Sequence, residues 1–325
     1  MIVDIHAHHF PKAYNDLLLR IGGRSLPEAA RALTARPLRQ DDASGIPTRL
    51  AQMDDAGVQM QVLSPAASPP YAEKEADAVE AARLINDSYA ELAREHPGRF
   101  AAVVSLPLPH IDASLREMER GLDRLGMVGV SMTCSCFDRS TAEAEFEPLY
   151  EEMNRRRTVL NYHPIQNGIC SPMINDYRFT VSVGASLEDS AIVLHLIARR
   201  IPARYPNITY VVPHLGGIIP MQLQRLDNQA PRQHPDLPEP PGVTARRFYY
   251  DTVGHGSHAA LLCAWKAFGA DHLVAGSDYP VLLAFETYRQ TFDYIRQVGL
   301  PPDDVDRILH RNSQRVLGLE GPARR

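Results

Sequence analysis

Met1-Ile-Val-Asp-Ile-His-Ala-His-His-Phe10 opens the chain, and the fold is read outward from it. Ile2, Val3 and Ile5 are strand formers, and a strand sends alternate side chains to opposite faces. His6 and His8 therefore share one face, and simple alternation places Ile2 and Asp4 there with them. Two neutral imidazoles aimed at one point suit a divalent metal, although two hydrogen-bonded histidines at a strand end would read the same way. His9 points away, as a packed or solvated side chain.

Beyond this stretch, short β-rich runs alternate with amphipathic helical ones. Strands are predicted over residues 2–8, 58–64, 99–106, 127–133, 158–163, 208–214, 248–253 and 272–278. Helices are predicted over 48–56, 71–96, 112–125, 146–157, 187–200, 218–228, 257–269 and 285–298. Each strand precedes a helix, which is the count of an α/β chain folded as a single (β/α)8 TIM barrel over residues 1–325. Residues 302–317 read as an extra C-terminal helix packed outside it, with Asp303 and Asp304 near its start and Gly318 past its end. Two connections exceed what a barrel requires. Residues 10–45 read as an insertion over the barrel top, and residues 165–185 also leave from a strand's carboxyl end. A Pro-rich run at 231–241 reads as an exposed excursion.

A chain of 325 residues, 44% of them hydrophobic, buries a large core. Its formal net charge of -5 is mild and carries no basic stripe, which argues against nucleic acid and anionic membrane as partners. No long uninterrupted apolar run is present and the chain starts on a core strand, so a cytoplasmic location is expected. Cys134, Cys136, Cys170 and Cys263 form no CxxC pair and read as reduced thiols, with Cys134 and Cys136 buried.

Barrel enzymes carry their chemistry at the carboxyl ends of strands. Here those ends read His6-Ala-His8, His163-Pro164, His214-Leu-Gly-Gly217 and Gly276-Ser-Asp278-Tyr-Pro280. Each residue alone has a bland reading: His163 as a turn histidine, Asp278 as a cap. Four histidines and an aspartate converging from rigid elements define a metal site. A bridged metal pair would need a lysine at a strand end, and Lys12, Lys74 and Lys266 all lie elsewhere. One metal per chain is expected, Zn2+ first and Mn2+ second, with a position left for water or substrate. No Gly-rich nucleotide fingerprint follows a strand, so no NAD or flavin site is implied.

These strand ends, together with Val58-Gln-Met-Gln-Val-Leu-Ser64 and Arg225-Leu-Asp-Asn228, resemble the amidohydrolase-related family typified by aminocarboxymuconate-semialdehyde decarboxylase. The likeness runs nearly the whole chain. By position it implies His6, His8, His163 and Asp278 as metal ligands. It implies His214 as the acid/base beside the metal's water, with Asp278 orienting that water and relaying protons. Arg36 resembles an arginine that grips the substrate carboxylate, against a plain reading as a surface ion pair. Arg225 resembles an arginine reaching into a neighbouring subunit, which implies a homodimer, against a plain reading of intrachain packing. Ile165 departs from the family pattern, which has tryptophan after the His-Pro pair. The function expected first is nonoxidative decarboxylation of an aromatic or muconate-type carboxylate. A mononuclear metal-dependent hydrolase or hydratase, acting on a lactone, ester or amide, is the alternative.

Overall fold

A computed structural model of the chain describes residues 2–21, 45–65 and 67–319. Its apolar, β-branched runs form strands β1 (Ile2–His8), β2 (Val58–Ser64), β3 (Phe100–Ser105), β4 (Gly129–Thr133), β5 (Val159–His163), β6 (Thr209–Val212), β7 (Tyr249–Asp251) and β8 (Leu273–Val274). They make one parallel sheet in chain order. The last strand closes on the first: Ile5 N–H donates to Ala275 O and Asp278 N–H to His6 O, each at 2.9 Å. Ala7 also bridges to Tyr279 in parallel. The expected (β/α)8 barrel is therefore the observed architecture.

Val3, Ile5, Val62, Val103, Val159, Val211 and Val274 cluster inside the ring. The outer strand faces pack a larger cluster against the surrounding helices, among them α1 (Lys12–Ile21), α2 (Gly45–Ala56), α3 (Glu75–Glu95), α4 (Ile111–Asp123), α5 (Glu147–Arg156), α6 (Ala185–Ala198), α7 (Ile219–Gln233), α8 (His258–Phe268) and α9 (Gln290–Gln297). Both layers are apolar because a barrel strand is buried on its two sides.

Strict alternation fails in β1. Asp4 pairs with Gln61 and Ala7 with Leu63, so β1 advances three residues while β2 advances two, a β-bulge. The bulge turns His6 inward with Ile5 and leaves Asp4 facing the helix layer. Asp4 is thus not on the imidazoles' face; it accepts from Ser277 Oγ and Tyr288 OH, each at 2.6 Å. Burial pushes its carboxyl up to about 6. Ile2 likewise packs in the outer cluster.

Other expectations are corrected by packing. The C-terminal segment, Pro302–Asp306, Arg307–Arg311 and Asn312–Val316, does not lie outside the barrel. Val316 joins the inner valine cluster, and Asn312 Nδ2 donates to Ala270 O and Leu273 O at 2.7 Å. It stops the amino end of the barrel, where an open apolar floor would otherwise meet water. Helix α7 runs on through Pro231, beyond the predicted end at residue 228. The described part of the 10–45 connection is a helix, α1, whose Tyr14 OH donates to Ser68 O at 2.7 Å. A two-stranded hairpin, Ser135–Cys136 with Arg139–Ser140, follows β4 and was not foreseen. Thr180–Ala198, 19 residues, is apolar and long enough to cross a bilayer by composition. In the fold this segment serves the barrel's outer layer, with Ile192, Val193 and Leu196 in the core. All four cysteines are free, and burial pushes the Cys136 thiol up to about 12.

Candidate metal centre and cleft

Strand ends β1 and β5 and the turn after β8 bring His6, His8, His163 and Asp278 together, with one ligand atom from each all within 4.8 Å of one another. All four are buried. His6 Nε2 lies 3.0 Å from His8 Nε2, and Asp278 Oδ1 lies 2.8 Å from His8 Nε2 and 3.4 Å from His6 Nε2. Bonds of about 2.1 Å at octahedral or tetrahedral angles separate neighbouring ligand atoms by about 3.0–3.4 Å, so His6, His8 and Asp278 stand close to the spacing of a small divalent cation's shell.

The outward nitrogens say the same. His6 Nδ1 donates to Asp251 Oδ2 at 2.6 Å, His8 Nδ1 to Ser64 O at 3.2 Å, and His163 Nδ1 to Pro164 O at 2.7 Å. Carbonyls and carboxylates only accept, so each Nδ1 carries its proton and each Nε2 turns a lone pair inward. His163 Nε2 is buried with no hydrogen-bond partner among the described residues. An orphaned buried acceptor is costly, and a cation satisfies it.

Burial pushes His163 well below the ordinary imidazole value, and His6, His8 and His214 beside it push the same way. Burial also lowers His8. For Asp278 burial works upward, but the His6 and His8 rings against it outweigh burial and hold the carboxyl well below its usual range. On His6 burial works downward and is outweighed by Asp251 and Asp278, which favour positive charge at that position.

His214 stands beside the quartet, its ring 5.4 Å from His6 and 5.5 Å from His163. Its Nδ1 donates to Asp189 Oδ2 at 2.8 Å and its backbone N–H to Asp251 Oδ1 at 2.9 Å. Burial lowers its pKa, but Asp189 outweighs burial and raises it. The chain holds it there through four consecutive left-handed residues, His214, Leu215, Gly216 and Gly217. At Gly217 (φ 61°) a Cβ would sit 2.1 Å from Ser186 O, so only glycine fits.

These five residues, singled out from the sequence, are brought to one place. Asp189, Glu188, Asp251 and Arg49 support them and were missed. Asp251 ends β7, and a carboxylate at a strand's carboxyl end was a readable signal. Asp189 and Glu188 are two acids near the start of an otherwise apolar helix, which no solvated face would require. Glu188 accepts from the N–H groups of Ile165 (2.8 Å), Gln166 (3.1 Å) and Gly168 (2.8 Å), pinning the loop after β5. Arg49, fully buried, donates to His8 O and lies 4.4 Å over the Tyr279 ring.

Above the centre opens a cleft of about 850 Å3. His8, His163, His214 and Asp278 form its polar end; Phe10, Val181, Pro220, Met221, Val253 and Phe285 line its walls. Arg178, from the 165–185 loop, also borders it. Arg36 lies outside the described residues. Arg225 lines a separate groove with Leu194, Ile218 and Gln222, outside this cleft. Ile165 is turned into the core, and the neighbouring Gln166 borders the cleft instead.

A (β/α)8 barrel with a three-histidine, one-aspartate centre at its carboxyl end defines a metal-site barrel of the amidohydrolase kind. The chain belongs to the Amidohydrolase family, whose model matches residues 3–319. It is similar to 2-amino-3-carboxymuconate-6-semialdehyde decarboxylase of Dictyostelium discoideum, 23% identical over 98% of this chain and 92% of that one. Among solved structures it resembles 5-carboxyvanillate decarboxylase of Sphingomonas paucimobilis, with a TM-score of 0.82, 24% identity and 98% of each chain covered. It also resembles a dihydroxybenzoic acid decarboxylase of a Polaromonas species with bound manganese and 2-nitroresorcinol, with a TM-score of 0.78, 22% identity, and 98% and 97% of the chains covered.

Proposed function

We propose that this protein is a metal-dependent nonoxidative decarboxylase of a small aromatic or muconate-type carboxylic acid. The observation that carries the reading is the quartet of His6, His8, His163 and Asp278 at the polar end of an apolar cleft, with His214 beside it on Asp189. The activities named for the Dictyostelium, Sphingomonas and Polaromonas relatives support it. When bound, a divalent cation supplies a Lewis acid that draws electron density from a substrate oxygen. The nitrogen-rich shell favours Zn2+, and the manganese in the Polaromonas structure supports Mn2+.

The remaining work falls to the protein's own groups. His214, its Nδ1 proton held on Asp189, gives a proton to the carbon that bears the carboxylate. That carbon becomes tetrahedral, the carboxylate leaves as CO2, and the electrons of the broken C–C bond restore the unsaturated frame. Asp278 orients the water or substrate oxygen beside it. The apolar walls keep water from the carboxylate, which favours its conversion to neutral CO2. Arg178 at the rim offers a guanidinium that draws an acid into the cleft.

Incubation with hydroxybenzoates, muconate semialdehydes and simple lactones, following CO2 against acid release, tests the reading. CO2 release, abolished together with bound metal in a His6→Ala/His8→Ala variant, is expected. Lactone opening with no CO2 from any acid would move the assignment to a hydrolase. A homodimer in which Arg225 serves the neighbouring subunit is part of the proposal; the exposed Ile218, which lines the same groove as Arg225, supports it. Light scattering that gives a fully active monomer would remove it. The four unpaired cysteines accord with the reducing cytoplasm, where we place the protein.

A further inference from the structure

The cleft is larger than the reaction needs. A cavity of about 150 Å3 holds a benzene ring, and this one measures about 850 Å3. A one-ring acid with its carboxylate at the histidine and Asp278 end therefore fills the inner part and leaves the outer walls in water. Three large apolar side chains stand around the opening: Val181 from the 165–185 loop, Met221 from α7 and Phe285 from the turn after β8, which are 50%, 68% and 72% exposed. One exposed apolar side chain is ordinary, but three from separate elements around one opening mark a binding surface. The His255 ring packs on Phe285 with centroids 5.5 Å apart, which steadies that wall. The width comes from small side chains. Ala259 and Cys263 lie one turn apart on a single face of α8, and Ser182 and Ser186 border the cleft where the 165–185 loop runs into α6. A bulky residue at any of the four would narrow it.

We propose that the outer cleft is a subsite for an apolar arm, so that the substrate is an acid whose carboxylate-bearing frame carries a second ring or a long alkyl chain. The inner end takes the carboxylate and the atoms that react, while Val181, Met221 and Phe285 cover the arm. This deepens the decarboxylase reading and rests on it for the inner end alone. An arm in the outer cleft withdraws its own surface and that of the three side chains from water, whereas a small acid leaves those side chains wet. Methionine suits such a wall, because its unbranched thioether adapts to the outline of what it covers.

The test is equilibrium binding, by calorimetry, of 2-hydroxybenzoate and its 4-phenyl, 5-phenyl, 4-hexyl and 5-hexyl derivatives to the metal-loaded protein. At least one phenyl or hexyl acid should bind about tenfold or more tighter than the parent, and which of the two does so names the arm. Ala259→Trp and Ser182→Trp put a bulky ring into the outer cleft from two exposed positions. In them that preference should fall to within about twofold while affinity for the parent is kept. Met221→Ser/Phe285→Ser strips two walls and should lower the same preference by about threefold or more. Retained binding of the parent certifies a folded cleft; where a tryptophan displaces the parent too, the serine variant decides. A wild type that gains nothing from any arm, or a gain that survives the change, would overturn the inference. CO2 release is read separately on the same acids. An arm-dependent gain with no CO2 from any acid would sink the decarboxylase reading and leave the subsite standing; CO2 from the parent with no gain from any arm would do the reverse.

Discussion

Asp251 Oδ2 accepts a hydrogen bond from His6 Nδ1 at 2.6 Å, so the inward-facing Nε2 of His6 is aimed from β7, two strands round the ring from β1. Its other oxygen holds the backbone N–H of His214. Asp251→Asn keeps the size of the group but loses the charge that orients and polarises the imidazole. Metal affinity should fall about 10–100-fold, measured by competition with a chelator of known affinity. Undiminished affinity would mean that the contact contributes packing only.

His214 is outside the ligand quartet, so His214→Ala should keep its metal while losing about 10²–10⁴ in turnover. Metal content by mass spectrometry and single-turnover CO2 release check the two halves. Loss of the ion would make His214 a ligand. Asp189→Asn should reduce turnover in the same direction with the metal retained, because Asp189 fixes the tautomer and orientation of that ring.

Burial raises Glu188 from the ordinary 4.5 to about 7, against the three backbone N–H groups that favour its charge. The folded value lies above the unfolded one, so the associated stability is fully present below pH 4.5 and is lost as pH rises through 7. At full effect that loss is about 3 kcal/mol. Urea denaturation between pH 5 and 8 should therefore show a decline that is flatter in Glu188→Gln. Equal slopes in the two proteins would show that Glu188 does not titrate in this range.

Gly217→Ala should destabilise the fold by about 2 kcal/mol or more, because its Cβ has no room beside Ser186 O and the backbone must leave its left-handed conformation. Thermal melting measures this. A variant with unchanged Tm would show that helix α6 yields to make space.

The barrel and the grouping of His6, His8, His163 and Asp278 were legible in the sequence because their signals are local. Alternating β and helical periods give the βα repeat, and residues at strand ends are adjacent to the runs that position them, as in His6-Ala-His8 and His163-Pro164. Two locally drawn expectations failed for one reason. The face assigned to Asp4 assumed unbroken pleating, and the bulge against β2 breaks it. The outside position assigned to residues 302–317 ignored the barrel's open end, which only closure creates. Burial, too, belongs to the folded state: nothing local in Ile165-Gln166 says that Ile165 turns into the core and Gln166 borders the cleft, and Arg225 follows the strand-six motif closely and still faces another groove. What tertiary structure alone decided are the partners. His6 meets Asp251 across 245 residues and His214 meets Asp189 across 25, and no local period encodes such meetings. They arise because closing eight strands into a ring brings the carboxyl ends of remote segments to one point, where buried polar atoms must find one another.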